Sequence, residues 1–149
     1  MSHNVLKIGS LALGLFLAST SYGASGWTDD LKCLAKTIYH ESRGEPYDGQ
    51  VAVAYVVLNR SKSGKFPDKV CDVVLQPRQF HFSKVKKIYD FEAYGQATTI
   101  ASRVLSGEYE DPTKGALFFA HHQAVKGRSV YKRYSKMKIG QHLFWAPKT

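Results

Sequence analysis

Glu41-Ser42-Arg43-Gly44-Glu45 places two carboxylates and a guanidinium within five residues, at the point where one apolar-periodic stretch ends and before another begins. A carboxyl at a helix end, with apolar residues on one side and a turn on the other, can hold its proton near neutral pH and donate it. That is the equipment of an acid that cleaves a glycosidic bond, where a protonated carboxyl stands beside the leaving oxygen and an oxocarbenium-like transition state is stabilised. Hydrolases usually add a second carboxylate, about 5 to 5.5 Å away when retaining and roughly 6.5 to 9.5 Å away when inverting. Glu45 and Asp48 are the candidates for it. Around Glu41, apolar neighbours such as Ile38 disfavour the anion, a nearby Glu45 adds to that, and an inward-turned Arg43 opposes both. Desolvation is expected to prevail, with Arg43 facing a structural partner such as a backbone carbonyl or Glu45. Glu45 itself has open readings: orienting Arg43, contacting substrate, activating a water, or making a structural ion pair. Gln50 is read as a structural amide at a helix end.

Gln79-Phe80 and the histidines His121, His122 and His142 are the other side chains with chemistry to offer. An amide beside an aromatic ring on a loop suits acetylated amino sugars, the ring covering a sugar face and the amide bonding the acetamido group. Phe80 has a competing reading as a plug of the core. His121 and His142, in two β-prone runs, are candidate substrate contacts. No HExxH motif is present, and neither a CxxC nor a His/Cys cluster supports a zinc site. No cofactor or metal is called for.

These residues need elements to hold them. Leu31, Leu34, Ala35, Ile38 and Tyr39 share one helical face, in a helix expected to start near Thr28 as N-cap, with Asp29 and Asp30 in its first turn, and to deliver His40 and Glu41 at its end. Gly44 and Pro46 break it, and Tyr47-Asp48-Gly49 reads as a turn. From Gln50 onward Val51, Ala54, Tyr55 and Leu58, widened by Val53, Val56 and Val57, describe a largely buried helix that stops by Ser63-Gly64. A short helix is expected around Cys71, and a longer one from about Asp90 to Ser106, stopped by Gly107. Ala116–Ala120 and Ile139–Trp145 are β-prone and are expected to pair as a small antiparallel sheet. The fold class is therefore α+β: a mainly helical single domain with a small sheet late in the chain.

His3 and Lys7 precede an apolar run from Ile8 to Ala18 and a small-residue exit at Ser21-Tyr22-Gly23, the pattern of a secretory signal cleaved after Gly23. The run is short for a membrane span, which wants roughly 20 apolar residues, so any membrane contact is expected only through an uncleaved signal. The remainder, residues 24–149, is enough for one domain. Without Lys7 its basic count falls from 21 to 20 against 12 acids, leaving a formal charge of +8. In an exported protein, periplasmic or extracellular, that charge points to an anionic envelope surface more than to nucleic acid. Cys33 and Cys71 form an even pair in an oxidising compartment, which favours a disulfide over two separate buried thiols.

The ordered motifs carry a resemblance. Ala35-Lys36-Thr37-Ile38-Tyr39-His40-Glu41-Ser42-Arg43-Gly44-Glu45-Pro46, then Gly49–Ala54 and Val57-Leu58-Asn59-Arg60, resemble the SleB-type cell-wall hydrolases, known from spore-cortex lysis and found also in phages and Gram-negative bacteria. Phe66-Pro67, Val70–Val74, Gln79-Phe80, Ala116–Phe119 and Ile139–Phe144 follow the same pattern in order. The resemblance implies a lysozyme-like, lytic-transglycosylase-related fold acting on the bond between muramic acid and glucosamine in peptidoglycan glycan strands. It puts the catalytic acid at Glu41. A monomer without cofactor is expected. Ser42 stands where members usually have Ala, a small-for-small change. In a lytic transglycosylase the 6-hydroxyl of the muramic sugar attacks its own anomeric carbon, and the Glu that gave a proton takes one back. One acid then suffices, whereas a muramidase would use a second carboxylate. A basic binding module without chemistry would explain the charge and leave the Glu41–Glu45 motif unexplained.

Overall fold

The computed structural model describes residues 24–80, 87–127 and 136–146. The proposed signal, His81 to Lys86 and the basic stretch 128–135 lie outside them. Four helices come first: α1 (Ala24–Ser42), α2 (Tyr47–Lys62), the short α3 (Val70–Leu75) and α4 (Phe91–Leu105). They are followed by β1 (Phe118–His121), a single turn α5 (His122–Val125), β2 (Lys136–Ile139) and β3 (His142–Trp145). The three strands form one antiparallel sheet in the order β1-β3-β2.

The centre of the domain is α2. One of its faces, with Val51, Ala54, Val57 and Leu58, packs against Leu34, Ile38 and Tyr39 of α1, Val73 of α3, and Ile100 and Val104 of α4. The other face, with Ala52, Val53 and Val56, meets Ala116 and Phe144 on the sheet side. A helix covered on both sides must be apolar nearly all round, which is why its sequence has a broad apolar face in place of a narrow stripe. Each fully buried Val, Leu or Ile contributes about 1.5 to 3 kcal/mol relative to leaving it in water.

Several element bounds differ from the sequence-based expectation. α1 starts at Ala24, a turn before Thr28, so Thr28 does not cap it. Asp30 sits inside the helix and accepts the backbone N–H of Cys71 at 3.3 Å. Tyr47-Asp48-Gly49 is the first turn of α2, because Pro46 (φ −53°, ψ 154°) occupies the extended position before a helix and leads directly into it. α4 starts close to the expected Asp90, which caps it by accepting Ala93 N–H at 2.9 Å. The Ile139–Trp145 run is broken by a two-residue turn, Gly140-Gln141, with Ile139 opposite His142. Glycine with φ +56° at the first turn position matches the type II′ hairpin, whose twist suits the flanking strands.

Cys33 and Cys71 form a disulfide joining α1 to α3. Arg60, buried on α2, donates its Nε to the Leu117 carbonyl at 2.7 Å and lies against the rings of Phe66, Phe80 and Phe118, 4.9, 5.3 and 5.5 Å from their centroids. Burial lowers its pKa to about 10, so it remains a cation at neutral pH, held by π-faces and one carbonyl.

Candidate active site

Glu41 sits half-buried in the last turn of α1. The next residue, Ser42, is buried and returns its hydroxyl to the Ile38 carbonyl at 2.8 Å, which satisfies the serine oxygen inside the fold. Gly44 then reverses the chain with φ +86°, a region an L-residue enters at a cost, and Glu45 N–H closes the turn on the Ser42 carbonyl at 2.9 Å. The motif is therefore a tight turn between two helices, with Glu41 on its entry side and Glu45 on its exit side.

Arg43 does not turn to Glu45 or to a carbonyl, as the sequence suggested. It donates to the Tyr39 hydroxyl at 2.7 Å, one helical turn back, with its guanidinium 5.0 Å from the Tyr39 ring centroid. The same phenolic oxygen accepts the backbone N–H groups of Tyr89 and Asp90, each at 3.1 Å. Those two backbone bonds, with Arg43 assisting and burial opposing, lower the Tyr39 pKa. Tyr39 thus locks the end of α1 to the start of α4. Sequence periodicity shows an apolar face there and gives no sign of this polar hub.

Glu45 is committed on both sides. Its backbone carbonyl accepts the Gln50 side-chain N–H at 3.1 Å, which gives buried Gln50 the structural role expected of it. Its carboxylate Oε2 accepts the Gln141 backbone N–H at 2.8 Å, and Oε1 lies 3.7 Å from His142 Nδ1. Gly140 makes the approach possible. A Cβ there would stand 2.1 Å from Glu45 Oε2 and 3.0 Å from Pro46 Cδ.

His142 is 8 % exposed, and its Nδ1 has no hydrogen-bond partner. Burial lowers its pKa, Glu45 works against that, and His121 and His122 reinforce it. The imidazole is accordingly neutral at pH 7. His121 faces His142 across β1 and β3, ring centroids 6.0 Å apart, and stacks on His122 at 4.9 Å. His121 is exposed, and His122 gives both its backbone N–H (2.9 Å) and its Nδ1 side (3.0 Å) to the Gln141 carbonyl.

The fold thus gathers Glu45, His121 and His142 beside the turn that follows Glu41. Phe80 connects to the group through Phe119. It is 3 % exposed, tilted against Phe119 at 6.5 Å, and Phe119 in turn meets His142 edge-on at 5.4 Å. The ring expected on an open sugar-binding groove is a core residue, because it closes the cage around Arg60. Gln79, next to it, is exposed. Gly140 and Gln141 lie inside the β-prone run, and a Gly-X pair between two such stretches is itself a hairpin signal. Asp48, the other candidate second carboxylate, lies exposed in the first turn of α2.

Residues 44–145 match the family model described as Cell Wall Hydrolase. A spore cortex-lytic enzyme of Bacillus cereus is 36% identical over 118 residues, covering 78% of this chain and 44% of that protein. The spore cortex-lytic enzyme of Bacillus subtilis is 33% identical over 118 residues, covering 78% and 37%. The chain thus spans less than half the length of these curated relatives. Among solved structures, the catalytic domain of the germination-specific lytic transglycosylase SleB from Bacillus anthracis matches with TM-score 0.65 and 32% identity, over 85% of this chain and 98% of that one. The catalytic domain of Bacillus cereus SleB matches with TM-score 0.63 and 32% identity, over 80% and 91%. Ordered motifs, a helical domain with a late three-stranded sheet, and matches covering most of the chain lead to one assignment: this chain belongs to the cell wall hydrolase family.

Proposed function

We propose that the protein cleaves the bond between N-acetylmuramic acid and N-acetylglucosamine in peptidoglycan by lytic transglycosylation, with Glu41 as the single acid and base. The Glu41 carboxyl donates its proton to the bridging oxygen, and the bond from the muramic C1 to that oxygen breaks through an oxocarbenium-like state. The glucosamine leaves with a free 4-hydroxyl. The muramic 6-hydroxyl then bonds to its own C1, and its proton returns to the Glu41 carboxylate. No water is consumed, and the muramic end is a 1,6-anhydro ring.

The observation that carries this reading is the match to the catalytic domain of a lytic transglycosylase, combined with the engagement of Glu45. A carboxylate already accepting a backbone N–H and facing an imidazole is poorly placed to activate a hydrolytic water, which disfavours the two-carboxylate muramidase. Exposed Gln79 and His121 remain the proposed sugar contacts. Export through segment 1–23 would deliver the protein to its substrate, and exposed Lys126, Lys136 and Lys138 suit an anionic envelope surface.

Mass spectrometry of purified peptidoglycan digested with the wild type and with Glu41→Gln tests bond, outcome and acid together. Anhydro-muropeptides from the wild type and none from Glu41→Gln are expected. Reducing muramic ends, or an active Glu41→Gln, would overturn the proposal.

A further inference from the structure

Glu45, on the exit side of the motif turn, is tied to three parts of the fold. Its backbone N–H holds the Ser42 carbonyl at the end of α1, its backbone carbonyl holds Gln50 of α2, and its carboxylate holds Gln141 in the turn between β2 and β3. The Gln141 peptide is gripped from the far side as well, since its carbonyl accepts from His122 at 2.9 and 3.0 Å. The sheet thereby meets the active-site turn at the Gln141 N–H and, beside it, at His142, and the glycine before Gln141 leaves room for the carboxylate. A charge-assisted bond of this kind is stronger than a neutral one and is directional.

We infer that Glu45 is a positioning residue: its carboxylate latches the hairpin turn, and with it His142 and the facing His121, onto the turn that carries Glu41. This inference rests on the reading of Glu41 as the acid. The physical reason is leverage. Gly44 gives the turn a backbone free to adopt many conformations, so the last turn of α1 is oriented against the sheet by what Glu45 grips. A displacement of about 1 Å at a reacting group can cost on the order of 100-fold in rate.

A latch needs an acceptor at Oε2, whereas acid–base chemistry needs a titrating carboxyl. Glu45→Gln, Glu45→Ala and Gly140→Ala separate the two. The amide oxygen of Glu45→Gln still accepts Gln141 N–H, so its kcat should fall by no more than several-fold. Glu45→Ala and Gly140→Ala both remove the latch, one by deletion and one by collision, and kcat should fall about 10- to 100-fold with KM within about two-fold. Loss of activity in Glu45→Gln equal to that of Glu41→Gln would overturn the inference in favour of direct catalysis by Glu45. Wild-type kcat in either unlatched variant would overturn it as well. Should Glu45→Ala not fold, the comparison of Glu45→Gln with Gly140→Ala carries the same decision.

Amide hydrogen exchange at Gln141 supplies a readout that does not depend on which residue is the acid. Protection is expected in the wild type and in Glu45→Gln and is lost in Glu45→Ala. Equal exchange in all three would sink the latch even with Glu41 upheld. An active Glu41→Gln beside a protected Gln141 would sink the acid assignment, and with it the positioning role, while leaving the contact itself in place.

Discussion

The Glu45 carboxylate and the Gln141 backbone N–H lie 96 residues apart in sequence and meet at 2.8 Å. A contact of that separation closes the domain, joining the turn between its first two helices to its last hairpin. Gly140→Ala attacks it from the side. The new methyl collides with Glu45 Oε2, and alanine pays roughly 1 to 2 kcal/mol for the left-handed backbone at φ +56°. With the charged hydrogen bond also lost, urea denaturation should show a decrease of about 2 to 4 kcal/mol. An unchanged midpoint would mean that the hairpin is held elsewhere.

Phe80→Ala separates a core plug from a sugar platform. A buried ring removed from between Arg60 and Phe119 should cost about 3 to 5 kcal/mol in stability. Its KM for peptidoglycan, measured well below the melting temperature, should stay within about two-fold of wild type. A stable variant with strongly raised KM would return the ring to the substrate groove.

Tyr39→Phe keeps the ring and removes the oxygen that accepts from Arg43, Tyr89 and Asp90. Two backbone donors at the entry of α4 lose their acceptor, and the melting temperature should drop by about 5 °C or more. Faster amide exchange at Tyr89 and Asp90 would locate the loss. Unchanged exchange there would show that the hydroxyl is dispensable.

Acid weakens the fold in two steps. His142 has a folded pKa below its ordinary 6.5, chiefly through burial, so the unfolded chain takes up the proton first. The stability tied to its neutral ring is complete above about pH 6.5 and is lost as the pH falls through the folded pKa. Asp111 follows at lower pH. Burial raises its pKa, yet bonds from Thr113, Asn59 and Gly115 outweigh that and lower it, so its contribution is present above about pH 4 and disappears as the pH falls further. Urea midpoints should therefore decline between pH 7.5 and 5.5, and His142→Gln should flatten that part of the curve. A slope unaltered by His142→Gln would assign it to another group.

Local patterns made much of this domain legible. The apolar face from Leu31 to Tyr39, the all-round apolar run of α2 and the extent of α4 are consequences of helical geometry within a dozen residues, so they can be read without neighbours. The start of α2 could not be read so surely, because Tyr47-Asp48-Gly49 has turn composition and is helical only once Pro46 sets the entry. The Cys33–Cys71 bridge followed from counting, and the proposed acid at position 41 from a motif rather than from any contact.

The sequence by itself determined the helices, the β-prone tail, the basic charge and the five-residue turn that names the family, since each depends on residues close together in the chain. Only the tertiary structure decided the partners of that turn: Arg43 on Tyr39, Glu45 on Gln141 and His142, and Phe80 in the core around Arg60. Those outcomes depend on which backbone donors, rings and voids the packed elements bring within about 3 to 5 Å, a reach at which hydrogen bonds and π contacts select among side chains that are chemically equivalent in sequence.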